Sequence, residues 1–422
     1  MRTTAMTLSG ALLVLATVNS AYAEQISLRV TYAFPSRDGA YRETIANEFM
    51  RRHPGVKIKL ESNAVDCPAL LQQTLRSSMT NDLPDIIAPV CYPDMPILAA
   101  RAIVTPLNDF ISNDKSWNDV GLAPTALSTV QWQGKAIALP ESISTPVVYY
   151  NMAIIRKAHP DLKDLPASWN NILKLAQDVN ENGKHPMPIF FEYYPDNYNW
   201  SFNGLVYSLG GDVFDQNGDI AFNSAEGMDA LNVLRRIGKA GMIDITTEQA
   251  RQSFASGNIA IYVASSSLLN FLTASATDRF EIRTGPFPLS LPDGKLPSGG
   301  GGLVMTTKDA EKQKAAWEYM KFAVGPEAQT IMATNTGLTP VNARAASSPE
   351  FLGDFYKGRP NYSVAIEQLS KMKSVNLYPG QNGQRIATII RDHLQSVITL
   401  KRSPEQAMPD MVRDVTSLLP KK

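Results

Sequence analysis

A strict alternation of extended and helical patterns near the start of the chain constrains its fold more than any other feature. Residues 26–32 (ISLRVTY) alternate apolar and polar with a period of two, the signature of a strand. Residues 41–52 carry Ile45, Ala46, Phe49 and Met50 on one helical face, and His53-Pro54-Gly55 stops that helix. Val56, Ile58 and Leu60 alternate again. Residues 68–79 read as a helix with Leu71 and Leu75 one turn apart, and 85–90 (DIIAPV) as a short buried parallel strand. Strands and helices in this order predict an open α/β sheet with right-handed crossovers. Ligands of such sheets sit beyond the carboxyl ends of the strands, here residues 33–41, 63–67 and 91–95.

A chain of 422 residues exceeds what one core usually holds, which predicts two domains. A second α/β series duly begins after residue 138. Val147-Val148-Tyr149-Tyr150-Asn151 reads as a buried strand, preceded by a polar run with two prolines and several hydroxyls. Residues 169–180 form an amphipathic helix with Ser168 as N-cap and Gly183 as stop. Strands are predicted near 188–191, 257–263 and 280–288. Helices are predicted at 200–209, 224–240, 310–324, 363–372 and 384–400. No fixed-period repeat or low-complexity segment is present.

The first residues read as a secretory signal. Arg2 supplies positive charge, residues 8–18 an apolar core, and Ala21-Tyr22-Ala23 a small-x-small cleavage pattern. Glu24, not Cys, follows, so no lipid anchor is implied, and a soluble exported protein is expected. Lys plus Arg and Asp plus Glu balance at 40 each, which gives no basic excess for nucleic acid and no acidic tail. The two cysteines, Cys67 and Cys91, are compatible with one disulfide in an oxidising compartment or with two separate buried thiols. Neither C-x-x-C nor metal-ligand spacing occurs, and no cofactor or metal is expected.

Several stretches in order resemble one family. They are "ESISTPVVYYNMAIIRKA" (141–158), "SFASGNIAIYVASSSLLNFL" (253–272), "PSGGGGLVMT" (297–306), "AAWEYMKFAVGPEAQ", "ATNTGLTPVNARA" (333–345) and "KRSPEQAM" (401–408). Together they span nearly the whole mature chain and resemble the extracellular solute-binding proteins of ABC importers, family 1, the group that binds sugars and sn-glycerol-3-phosphate. The resemblance implies a type II periplasmic-binding-protein fold, two α/β lobes joined by three hinge crossings. The expected division is 1–23 signal peptide, 24–142 with 286–307 as lobe one, and 147–283 with 310–422 as lobe two. The hinge is expected near 140–146, 283–287 and 306–312.

A polyol ligand needs convergent hydrogen-bonding groups for its hydroxyls and flat aromatic surface for its C–H faces. Phe34 and Tyr41 flank the first strand end, and Tyr92 follows the third. Seven aromatics lie between Phe190 and Phe202, a density hard to ascribe to core in so polar a stretch. Tyr193 and Tyr194 belong to that cluster, and Tyr198 and Trp200 are the expected stacking residues. Ser142 and Ser144 stand at the first crossing, to bond either passing backbone or ligand. Ser265 and Ser266, with Ser267, end a strand where free N–H groups suit an oxygen-rich ligand or are simply capped. Gly300 and Gly301, in the run from Gly299 to Gly302, permit close backbone approach. Asp66 lies where the family often carries a hydroxyl-binding acid, or caps the helix before Pro68. Arg385 lies near the phosphate-binding Arg of the glycerol phosphate members, with Arg391 competing.

Two departures from those members point to a neutral ligand. Leu338 stands where they have an aromatic in T-G-x-x-P, and "YAFPSRDG" replaces their Trp-His after the first strand. The leading expectation is therefore a periplasmic binding protein for a sugar or oligosaccharide. It would be a monomer that closes on ligand and docks on inner-membrane permease subunits. The alternative ligand is sn-glycerol-3-phosphate or a glycerophosphodiester. A secreted glycoside hydrolase is the distant alternative. No G-x-S-x-G with ordered partners and no H-E-x-x-H occurs, and only four His are present.

Overall fold

The computed structural model describes residues 25–420 except 123, 182–186, 194–197, 216, 376, 377, 379 and 381, and describes the backbone alone at 63, 124 and 125. The expected signal sequence, the helix stop at Gly183 and the aromatic Tyr194 lie outside the described residues.

Two sheets organise the chain. The first has six strands in the order Thr339–Pro340, Leu139–Ser144, Gly299–Met305, β3 (Ile86–Cys91), β1 (Ile26–Ala33) and β2 (Val56–Ala64). β1 runs parallel to both β2 and β3, as the alternation predicted, and Gly299–Met305 runs antiparallel to β3 and to Leu139–Ser144. The second sheet orders Ile282–Pro286, Pro146–Asn151, Ile261–Ser265 and Ile189–Phe191.

The helices follow from their apolar spacing and caps. α1 (Pro35–Arg52) buries Tyr41, Ile45, Ala46 and Phe49 along one face. Fully burying side chains such as Ile45 and Phe49 stabilises by about 1.5–3 kcal/mol each. α1 begins six residues before the predicted 41, because Pro35 at its first position has a fixed φ suited to helix and Phe34 turns the chain in a left-handed conformation at φ 59. α2 (Cys67–Met79) is capped by Asp66, whose carboxylate accepts from Ala69 N at 2.9 Å. Among the described residues no helix is long and apolar enough to cross a membrane.

Each sheet carries its own core. Phe49, Leu28, Val30, Leu139 and Leu303 lie in one, and Tyr150, Ile172, Phe191, Leu234, Ile261 and Ile390 in another. The chain crosses first at Thr145, between the strands Leu139–Ser144 and Pro146–Asn151.

The other two boundaries differ from those expected. Phe287 and Leu296 still belong to the second core, and Leu296 pairs with Met372, so the second crossing lies at Ser298 and not at 283–287. The helices Ala310–Val324 and Pro326–Asn335, expected in lobe two, pack Trp317, Tyr319, Met320 and Met332 into the first core. They follow directly on the first-lobe strand Gly299–Met305 and cover its own sheet, so no crossing occurs at 306–312. Ala345 and Leu352 cluster with Ala333, whereas Pro360–Glu367 lies beside Ile282–Pro286. The third crossing therefore falls between Leu352 and Pro360.

Candidate functional site

The floor between the lobes is built where the crossings meet. Thr145 is buried, and all its polar groups are engaged. Its N–H donates to Ser266 Oγ (3.2 Å), its carbonyl accepts from Ser266 N (2.9 Å), and its hydroxyl accepts from Gln368 Nε2 (3.1 Å). Gln368 Nε2 also donates to Pro146 O at 2.9 Å, and its Oε1 accepts from Phe287 N at 2.8 Å. On the first-lobe side, Gly299, Gly300 and Gly301 pair with Ser144, Ile143 and Ser142. Gly300 has φ +104, and a Cβ there would stand 2.1 Å from Ser142 O. This run is glycine because its neighbouring strands leave no room for side chains.

Trp200 leans over that floor from the second lobe, at the start of the helix Trp200–Ser208. Its Cζ2 lies 3.3 Å from where a Gly299 Cβ would stand, and its Nε1 is buried without a hydrogen-bond partner among the described residues. A buried N–H left unpaired costs about 1–3 kcal/mol, which an acceptor from a ligand would recover.

The lobes touch across the cleft. Arg37 Nη1 donates to Ser267 Oγ (3.4 Å), Tyr198 OH to Asp94 Oδ1 (2.9 Å), Asn270 Nδ2 to Asn335 O (2.8 Å) and Gln72 Nε2 to Gln384 Oε1 (3.3 Å). Arg37 is otherwise committed within its own lobe. It stacks over Phe34 at 4.3 Å and holds both oxygens of the Asp38 carboxylate. Asp38 lies 3.7 Å from Arg42, and Arg42 grips Glu141 through two bonds of 3.0 and 2.9 Å. Asp38, Arg42 and Glu141 are all buried, so a ladder of alternating charge runs from the cleft wall into lobe one.

Asp94 is 3% exposed, and burial pushes its carboxyl up to about 7 despite the phenol hydrogen bond. It follows the disulfide that Cys67 and Cys91 form, which closes one of the two alternatives open in the sequence. The bridge ties the N-terminus of α2 to the end of β3, fixing Asp66 on one side and Tyr92 on the other. Tyr92 OH donates to Ser142 O at 2.9 Å.

Of the residues singled out in the sequence, Ser142, Ser144, Tyr92, Gly300, Gly301, Trp200, Ser265 and Ser266 gather around the floor. Ser265 Oγ accepts from Ser267 N (3.2 Å) and meets Ser267 Oγ (2.9 Å), so part of its capacity serves capping. Phe34 lies on the wall beneath Arg37. Three residues stand elsewhere than expected, and Asp66 takes the second of the two roles the sequence left open for it. Tyr41 is only 2% exposed in the first core, because it falls on the inner face of the extended α1. Asp66 caps α2. Arg385 is exposed on the helix Gly383–Ile398. Tyr198 is 7% exposed, with its ring edge-on to Tyr378 and its hydroxyl on Asp94, so it bridges the lobes instead of offering an open stacking face. Sequence reasoning missed Arg37, Asp94 and Gln368, although the first two stand within the strand-end segments it marked as cleft-facing.

The model of the family described as bacterial extracellular solute-binding protein matches residues 44–354. The sn-glycerol-3-phosphate-binding periplasmic protein UgpB of Pectobacterium atrosepticum is 24% identical over 397 residues, covering 89% of this chain and 87% of its own. UgpB of Escherichia coli K12 is 23% identical over 390 residues, covering 89% of each. The crystal structure of UgpB from Mycobacterium tuberculosis in complex with glycerophosphocholine superposes with a TM-score of 0.80 at 22% identity, over 93% of this chain and 98% of that one. The GacH receptor of Streptomyces glaucescens, solved unliganded and with acarbose, gives a TM-score of 0.78 at 18% identity, over 94% and 99%. With the type II two-lobed architecture and the match over residues 44–354, the chain belongs to the bacterial extracellular solute-binding proteins that serve ABC importers.

Proposed function

We propose that this protein is the periplasmic substrate-binding component of an ABC transporter that imports a sugar or oligosaccharide. It is exported after cleavage behind Ala23, acts as a monomer, closes its lobes on the ligand and docks the closed form on the permease. The observation that carries the reading is Trp200. Its indole N–H is buried and has no hydrogen-bond partner among the described residues, beside Ser144 and the glycine strand, where both lobes meet. An indole face with a donor at its edge, among serine hydroxyls, suits the C–H faces and hydroxyls of a sugar. Ligand contacts from both lobes are what a closing mechanism needs, since a ligand shifts an equilibrium only by its differential affinity for the two states. Ser142, Ser144, Trp200, Ser265 and Ser266 are the proposed contacts.

A second ligand class, sn-glycerol-3-phosphate or a glycerophosphodiester, is favoured by the curated relatives. Two features speak for a neutral ligand instead. The guanidinium of Arg37 already holds Asp38. Leu338, where the glycerol phosphate members carry an aromatic, is buried in the first core. Thermal-shift and calorimetric screening of mono- and oligosaccharides, sn-glycerol-3-phosphate and glycerophosphocholine tests the choice. Saturable stabilisation by a neutral saccharide, with the saccharide recovered unchanged, is the expected result. Stabilisation by the phosphorylated compounds alone would reverse the order, and turnover of the sugar would overturn the binding-protein reading.

A further inference from the structure

We infer that Asp94 and Tyr198 are positioning residues that latch the two lobes together, and that protons promote closure through this latch. The inference rests on the closing mechanism proposed above but needs no ligand identity.

Both halves of the latch are held rigid on their own lobes. Tyr198 and Asn199 are consecutive non-glycine residues in the left-handed region, at φ 51 and 50. Such a conformation persists only where the surroundings impose it. Here the Tyr198 carbonyl accepts from Asn203 Nδ2 (2.6 Å) and Tyr378 OH (2.8 Å). Tyr378 OH also meets Asn199 Oδ1 (2.7 Å), and Asn199 Nδ2 donates to Ala387 O (3.0 Å). The strained turn aims the Tyr198 phenol out of lobe two onto Asp94. On the other lobe, Asp94 follows the Cys67–Cys91 bridge by three residues, and its carboxylate lies within 4.8 Å of both sulfurs.

Among the described residues no cation balances Asp94. Asp66 raises its pKa further by charge repulsion, and Tyr198 donates to it. The bridged cysteines do not titrate. The neighbouring segments Gly299–Met305 and Met95–Ala100 carry no titratable side chain. Parting the lobes removes the phenol and returns the carboxyl to water, where it titrates in the ordinary range near 4. In the closed form burial holds it near 7. The closed form therefore binds more protons between these limits, and closure is favoured as pH falls through about 7. From pH 8 to pH 5.5 the closed-to-open ratio is expected to rise by roughly thirtyfold.

Small-angle scattering of the ligand-free protein at pH 8 and pH 5.5 tests this, with circular dichroism and melting temperature as fold controls. The wild type is expected to have a smaller radius of gyration at pH 5.5. Asp94→Asn, which keeps the acceptor but removes the charge, should be compact at both values. Tyr198→Phe, which removes the lobe-two donor, should be less compact than the wild type at both values. A wild-type radius that does not change, or an Asp94→Asn protein that keeps the wild-type pH response, overturns the latch. Failure of every saccharide to bind at a single pH would instead overturn the proposed ligand class and leave the scattering result standing.

Discussion

The side chain of Gln368 holds Thr145 in place: its amide nitrogen donates to Thr145 Oγ1 at 3.1 Å and to Pro146 O at 2.9 Å, while its oxygen accepts from Phe287 N. One buried amide thus joins the first crossing to the segment leading towards the second. Gln368→Ala leaves three partners unsatisfied in a dry site. A loss of about 2–4 kcal/mol in unfolding free energy is expected from urea titration, more than a surface Gln would give.

Trp200 separates stability from binding. Trp200→Ala is expected to leave a folded free protein but to abolish the ligand-induced thermal shift, which for the wild type amounts to about 2.7 kcal/mol at roughly a hundred times Kd. Trp200→Phe keeps a flat face and loses the N–H. Its affinity should fall about fivefold, the worth of one hydrogen bond of about 1 kcal/mol. A full shift in Trp200→Ala would remove the indole from the site.

The Arg42–Glu141 pair is buried on both sides. Arg42→Leu leaves Glu141 and Asp38 without their shared cation, and a loss of about 3–5 kcal/mol is expected. Arg42→Leu combined with Glu141→Leu should lose less than the sum of the single changes. A double-mutant cycle by chemical denaturation measures the difference.

The Cys67–Cys91 bridge spans 24 positions in sequence. Replacing both cysteines by serine should lower stability by about 3 kcal/mol in the chain-entropy account. Loosening of the Asp94 segment should accompany it, read as faster amide exchange at residues 92–95 in the variant.

The first lobe's topology was readable because each strand and helix from residue 26 to residue 90 announces its own period. Other features depend on relations that no local pattern carries. The amphipathic stripe of Ala310–Val324 says that one face is buried, not which sheet buries it, and the helix went to the wrong lobe for that reason. The start of α1 was hidden because residues 33–41 read as the segment beyond the first strand, whereas Pro35 sits at a helix N-terminus. The serines and glycines at the floor were legible from their position beside a crossing. Asp94 and Arg37 were not, since their cross-lobe partners are set by the angle between two bodies.

The alternating ladder from Arg37 to Glu141 also limits how this protein can acquire a new ligand. Its rungs neutralise one another in sequence, so exchanging any single member strands a neighbour of the opposite sign. A lineage turning this wall towards a charged solute would have to replace residues in matched pairs, through intermediates less stable than either end point. Selectivity is thereby tied to fold maintenance, and drift at Asp38, Arg42 or Glu141 should be correlated.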